Sequence, residues 1–184
     1  KGNYYKAYVV HSLETAVLKA TEIVAEWGFP LLVQERIVGH EYNLIGLADS
    51  DGEVGGRVSI KKQLTTHLGK VWTAVTIRDE KFDQVCDTFC SLTHWRGPFE
   101  LECIVNERGI FLIEINPRFP AWTYFATACG INLPLKLVQL AQGLKVSPSL
   151  GHTVGKLLVR FCDEIVTDWA ALAGHEAGEK KSSE

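Results

Sequence analysis

The stretch from Gly97 to Asn116, GPFELECIVNERGIFLIEIN, constrains the fold more than any other part of the chain. Two runs rich in β-favouring residues, Phe99 to Val105 and Ile110 to Ile115, flank Asn106-Glu107-Arg108-Gly109, whose composition is that of a hairpin turn. Side chains alternate along a strand, so Phe99, Leu101 and Cys103 point one way while Glu100 and Glu102 point the other. When the second run folds back against the first, Glu114 shares the face of Glu102 on the adjacent antiparallel strand. Asn116, two residues further, shares it too. The second strand then breaks at Pro117 and delivers Arg118 just beyond its end.

The rest of the chain supplies more strands and the helices to cover them. Ala7 to Val10 reads as a strand. Ser12 is placed to cap a helix, with Glu14 in the first turn near its positive end. Leu13, Ala16, Val17, Ala20, Ile23, Val24 and Trp27 recur at helical spacing until Gly28 and Pro30 stop the run. Leu31 to Glu35 reads as a buried strand. Glu41 to Leu47 is a further strand, turned at Asp49-Ser50-Asp51-Gly52 into its return partner, Val54 to Ile60. Residues 63–70 are polar and read as a loop before the strand Val71 to Ile77. Phe82, Val85, Cys86, Phe89 and Cys90 form the stripe of a second helix. Trp122, Tyr124 and Phe125 open a short helix as core packing, Pro134 to Gln142 forms another helix, and Lys156 to Phe161 a last strand. The expected class is α+β, an antiparallel sheet flanked by helices.

Composition narrows the function. A chain of 184 residues is one domain or a large piece of one. A net charge of -3, with lysine and arginine scattered, gives no footprint for nucleic acid. No apolar run is long enough to span a bilayer, and no signal peptide is recognisable. Cys86, Cys90, Cys103, Cys129 and Cys162 lie mostly inside apolar patterns, which suits buried thiols in a reducing cytosol. The chain opens on Lys1 and contains no methionine, so it reads as an excised piece, with domain boundaries expected at residues 1–173 and a disordered polar tail at 174–184.

Two carboxylates and an amide converging on one sheet face repel one another and are costly to bury unpaired. A hard divalent cation resolves this, because Mg²⁺ takes a few carboxylate oxygens and completes its shell with water and substrate phosphates. Arg118 is a planar donor suited to a carboxylate or phosphate. A half-solvated sheet face also carries glutamates without any metal, and Asn-Pro-Arg is a reasonable turn, so spacing alone leaves both readings open. Glu100, beside the metal pair on the same strand face, reads either as a group supporting it or, more simply, as a solvated glutamate, and Lys61 and Lys62 read as two solvated lysines, one of them within reach of a nucleotide.

Glu114-Ile115-Asn116-Pro117-Arg118 resembles the E-x-N-x-R signature of the ATP-grasp superfamily, with Glu102 at the position of its second metal carboxylate. The resemblance extends over nearly the whole chain. It is strongest to the branch holding carbamoyl-phosphate synthetase large subunits, biotin carboxylases and related carboxylate-amine ligases. It implies an ATP-grasp fold in which Glu35, Arg36, Ile37 and Val38 link two subdomains and pair with adenine, and Glu41 binds the ribose hydroxyls. Thr66-His67-Leu68-Gly69 resembles the H-T-G-type loop near the nucleotide, although His67 reads equally as a structural hydrogen-bonder. Lys1 resembles the basic residue that balances phosphate charge.

What the resemblance implies is ATP with Mg²⁺, or Mn²⁺ in its place, held by Glu102, Glu114 and Asn116. A small-molecule or peptide carboxylate is activated as an acylphosphate and passed to an amine or similar nucleophile, with Arg118 and Lys1 in the catalytic role. It further implies a preceding domain as partner, while charge, hydropathy and cysteine use give the expectation of no nucleic acid, no membrane and a cytoplasmic setting. The sequence departs from the family at Gly2-Asn3-Tyr4-Tyr5-Lys6-Ala7, where a long glycine-rich flap normally follows the lysine. A non-catalytic nucleotide-binding or regulatory module, and a plain interaction domain, remain as other classes.

Overall fold

The computed structural model describes residues 7–66, 69–161 and 166. Helix α1, Leu13–Trp27, starts at Ser12, whose hydroxyl accepts from the Thr15 amide at 3.2 Å while the Thr15 hydroxyl accepts from the Ser12 amide at 3.3 Å. This reciprocal cap satisfies two of the amides that a helix start leaves unbonded. Gly28, at φ 77, closes the helix in a conformation that disfavours side chains.

Among the described residues six strands follow the cap-to-turn logic of the sequence: β1 His40–Ala48, β2 Val54–Thr65, β3 Val71–Ile77, β4 Gly97–Asn106, β5 Gly109–Asn116 and β6 Leu157–Val159. They form one sheet of order β5-β4-β1-β2-β3-β6, antiparallel at every pairing. Helix α2, Glu80–Thr93, lies between β3 and β4 in the chain, and α3, Thr123–Ala128, and α4, Leu133–Ala141, follow β5. Asp79 caps α2 by accepting from the amides of Lys81 and Phe82.

Alternation along the strands divides the core in two. Leu44, Phe99, Leu101 and Cys103 pack against Phe82, Cys86 and Phe89 of α2. On the opposite face Ile45, Leu47, Val58, Ile60 and Ala74 pack against Trp122, Phe125, Ile131 and Leu133. Both faces of the central strands are therefore covered in their apolar part, and on the second face Glu100 is buried, Glu102 half-buried and Glu114 exposed.

Several segments differ from expectation. Ala7 to Val10 and Leu31 to Glu35 are not strands: a strand needs a lateral hydrogen-bonding neighbour, and neither segment has one among the described residues. Leu32 and Val33 are accordingly exposed, and α1 buries none of its residues. The expected loop at 63–70 shrinks, because β2 runs on to Thr65 by pairing Leu64 with Thr73 and Thr65 with Val71 through two register shifts. The last strand, expected over Lys156 to Phe161, is Leu157–Val159, paired with Val75, Ala74 and Thr73, and single backbone bonds carry the contact with β3 one residue further at each end, from the Thr76 amide to the Lys156 carbonyl at 2.9 Å and from the Arg160 amide to the Trp72 carbonyl at 3.0 Å. The expected tail at 174–184 lies outside the described residues.

Candidate functional site

The β4–β5 ladder places Glu102 opposite Glu114 and Glu100 opposite Asn116. A regular ladder counted back from the turn would put Ile113 there instead, since Cys103 pairs with Leu112. The chain corrects the phase with a bulge: Ile113 is the extra residue between those two pairs. The bulge also brings Ile115 to the α2 face, opposite Leu101, where it and Leu112 border Val85, Phe89 and Leu92.

Around this ladder the side chains form a connected polar network. Lys62, on β2, donates to Glu102 at 2.8 Å, to Glu41 at 2.9 Å and to the Gly69 carbonyl at 3.2 Å. Its side chain is only 5% exposed, so it is not the solvated lysine expected. Burial works against its positive charge, but the hydrogen bonds from Glu102 and Glu41 outweigh it and hold its pKa above the ordinary lysine value. One ammonium thus brings together the carboxylate of β4, that of β1 and the Gly69 carbonyl, next to the bond from the Thr66 amide to the Lys70 carbonyl at 2.9 Å.

Glu100 is 3% exposed, in contrast to the solvated position expected. Its Oε1 accepts from Asn43 Nδ2 and from Trp122 Nε1, both at 2.8 Å, and its Oε2 accepts from Asn116 Nδ2 at 3.2 Å. Burial pushes this carboxyl above its usual range, against the pull of the Asn43 and Trp122 hydrogen bonds. Asn116 Nδ2 donates also to Glu102 Oε1 at 3.2 Å, and Asn116 Oδ1 accepts from Arg118 Nη2 at 3.3 Å. Arg118 is otherwise exposed, with a second bond to the Phe119 carbonyl. Glu114 is exposed beside the cluster.

The remaining sequence candidates lie elsewhere or outside view. Glu35 is exposed and forms a two-pronged pair with Arg108 at 2.5 and 3.1 Å, which holds its carboxyl below the ordinary range. The Val38 carbonyl accepts from Asn106 Nδ2 at 2.8 Å. Residues 35–38 therefore run along the turn end of the β4–β5 hairpin, with Arg36 exposed and Ile37 half-buried. The approach at Gly39 is close: a Cβ there would stand 2.5 Å from the Val105 carbonyl oxygen. Lys1, Lys6 and His67 lie outside the described residues.

The sequence did not announce Asn43 or the polar contact of Trp122, and it favoured a solvated place for Glu100 and Lys62 over the buried one they take. Asn43 left one signal, a polar residue inside the apolar run Leu44 to Leu47 and its preceding Tyr42. The other contacts depend on how β2 and α3 lie across the sheet, which no local pattern states.

Oxygen donors from Glu102, Glu114 and Asn116, with no sulfur or imidazole, form a set suited to a hard cation such as Mg²⁺. Among the described residues no three His, Cys, Asp or Glu groups close on one point by themselves. Two carboxylates and an amide with room for further oxygen ligands agree with both facts. Among the described residues the ammonium bonded to these carboxylates is that of Lys62, on Glu41 and Glu102, and Glu114 lies beside them, so the cluster has anionic oxygen to offer a further cation.

No family model and no curated protein matches the chain. Solved structures do. The biotin carboxylase domain of a thermophilic 2-oxoglutarate carboxylase, bound to bicarbonate, superposes with a TM-score of 0.61 at 16% identity, over 74% of this chain and 33% of that one. The ATPase subunit of phosphoribosylaminoimidazole carboxylase from Aquifex aeolicus gives 0.52 at 13% identity, over 71% and 48%. A biotin carboxylase complex with βγ-ATP from Campylobacter jejuni gives 0.50 at 18% identity, over 74% and 33%. The chain thus spans between a third and about half of each of these structures. At such identities the likeness is one of fold, and the fold is that of the ATP-grasp proteins, as the E-x-N-x-R resemblance implied.

Proposed function

We propose that this chain is the metal- and phosphate-handling part of an ATP-grasp ligase, which activates a carboxylate as an acylphosphate for attack by an amine or similar nucleophile. The observation that carries the reading is the pairing of Glu102 with Glu114, and of Glu100 with Asn116, on one face of the β4–β5 hairpin in a chain of this fold. Glu102, Glu114 and Asn116 would hold Mg²⁺, which when bound neutralises charge on the ATP phosphates.

The chain's own residues do the rest. Lys62 keeps Glu102 and Glu41 in fixed positions through its two charge-assisted hydrogen bonds. With one Glu41 oxygen so engaged, the other is left to accept from the ribose hydroxyls. Arg118, anchored by Asn116, presents its exposed guanidinium to a substrate carboxylate or to the group in transfer. Glu35 to Val38 would border adenine, and Thr66 and His67 the nucleotide, with Lys1 on the phosphates. The four described cysteines are buried free thiols, in keeping with a cytosolic setting, and no helix among the described residues is long and apolar enough to cross a membrane.

The test is turnover. Glu114→Gln keeps the shape of the side chain and removes its charge, and ATP-dependent phosphate release by the intact protein is expected to fall by about a hundredfold or more. A rate near that of the unaltered protein would remove Glu114 from the mechanism.

A further inference from the structure

Asn116 has the geometry of a metal ligand only if its amide points the right way. An asparagine side chain presents an acceptor at one end and donors at the other, and the two ends are nearly the same shape. In this structure Nδ2 lies between two carboxylate oxygens, Glu100 Oε2 and Glu102 Oε1, at 3.2 Å each, and Oδ1 is turned the other way, towards Arg118. Both carboxylates accept hydrogen bonds, so the donor end is the end they require.

Glu102 is itself a candidate ligand whose oxygens are shared with Lys62. Glu100 is different. It is buried, and its two oxygens accept from three N–H donors drawn from three elements of the fold, Asn43 of β1 and Trp122 at the start of α3 on Oε1 and Asn116 of β5 on Oε2. None of its contacts reaches outward. A carboxylate in such a place acts on the site through the group it holds.

We propose that Glu100 is a positioning residue that sets the Asn116 amide with its oxygen outward, so that Asn116 serves as an oxygen ligand for the divalent cation. The proposal rests on the metal reading given above. Trp122 and Asn43 hold Glu100 Oε1 from the core side and leave Oε2 for Asn116, which makes the orientation a property of the packed fold. The carboxylate is required because it alone offers two acceptor atoms. A glutamine at position 100 has one acceptor and one donor end. With its oxygen kept by Trp122 and Asn43, its amide nitrogen would face Asn116 Nδ2, so that Glu102 Oε1 alone would hold the donor end of Asn116 and its oxygen would no longer be fixed as a ligand.

The experiment is the Mg²⁺ concentration needed for half-maximal binding of a non-hydrolysable ATP analogue by the intact protein, together with the analogue's affinity in chelator. Glu100→Gln is expected to raise the Mg²⁺ requirement by about tenfold or more, as losses of groups that orient metal ligands do, while leaving metal-free affinity unchanged. A purely structural role would weaken both. Adding Asn116→Asp to Glu100→Gln should restore the requirement most of the way, because an aspartate offers one oxygen to the glutamine amide and the other to the metal. Should Glu100→Gln melt before it can be measured, Glu100→Asp keeps both acceptors but withdraws them by one methylene, and a raised requirement is expected there too. A folded Glu100 variant with the wild-type requirement, beside a Glu114→Gln variant that has lost it, overturns the positioning role and leaves the metal reading standing. Analogue binding that ignores Mg²⁺ in the unaltered protein overturns the metal reading, and this proposal with it.

Discussion

A lysine ammonium inside a sheet is costly to desolvate, and Lys62 is tolerated because Glu41 and Glu102 accept from it at 2.9 and 2.8 Å. Its place in the network was not legible in the sequence, where Lys61-Lys62 is simply a charged pair. Turn composition and alternation singled out Glu102, Glu114 and Asn116, but their place on one face depends on the Ile113 bulge, which those local signals do not show. The burial of Glu100 was not legible, since it comes from Trp122, 22 residues further along the chain. Another buried group gives a test of stability. His152 Nε2 bonds to the Ile77 carbonyl at 2.7 Å while Nδ1 is buried without a partner among the described residues. Burial lowers its pKa below the ordinary 6.5, with the Ile77 bond working the other way and Arg78, Asp83 and Arg57 as the charged neighbours. The unfolded chain therefore takes up its proton first as pH falls below 6.5, and folding stability should drop from that point downward, until the folded form is protonated as well. Urea unfolding between pH 7 and pH 5 should show this slope, and His152→Gln should flatten it; an equal slope in the variant would assign the effect to other groups.

At the scale of elements, the strands and helices that carry the site follow from capping, periodicity and turn residues, whereas their lateral order does not. The hairpin phase shows the limit: the Ile113 bulge is what pairs Glu102 with Glu114, and nothing in FLIEIN distinguishes a bulged from a regular strand. Close packing within the sheet is equally silent in sequence. Gly46 of β1 stands opposite Phe99 of β4, and a Cβ there would lie 2.3 Å from the far carbon of the Phe99 ring. Gly46→Ala should therefore cost about 1–3 kcal/mol through displacement of Phe99 from the α2 core. Gly55→Ala serves as the control, because its Cβ would meet nothing nearer than 3.6 Å. Equal unfolding midpoints for the two variants would contradict this account of the β1–β4 contact.

Over the whole molecule, one six-stranded antiparallel sheet lies between α2 and the α3–α4 layer, and the polar network occupies the part of the second face that the layer leaves for it. The α+β class was legible in the alternation of strand and helix patterns. The coverage of both sheet faces was not, because the aromatic segment after Arg118 shows its apolarity but not where it docks. Nor was the exposure of α1 and residues 32–36, whose apolar side chains read as core. The central claim is that this face takes ATP phosphates through a divalent cation held by Glu102, Glu114 and Asn116. Calorimetric titration of the intact protein with a non-hydrolysable ATP analogue, with Mg²⁺ and in chelator, tests it most directly when repeated on Glu114→Gln. Binding that requires Mg²⁺ and is weakened in the variant is the result the account predicts; binding indifferent to both metal and variant would contradict it.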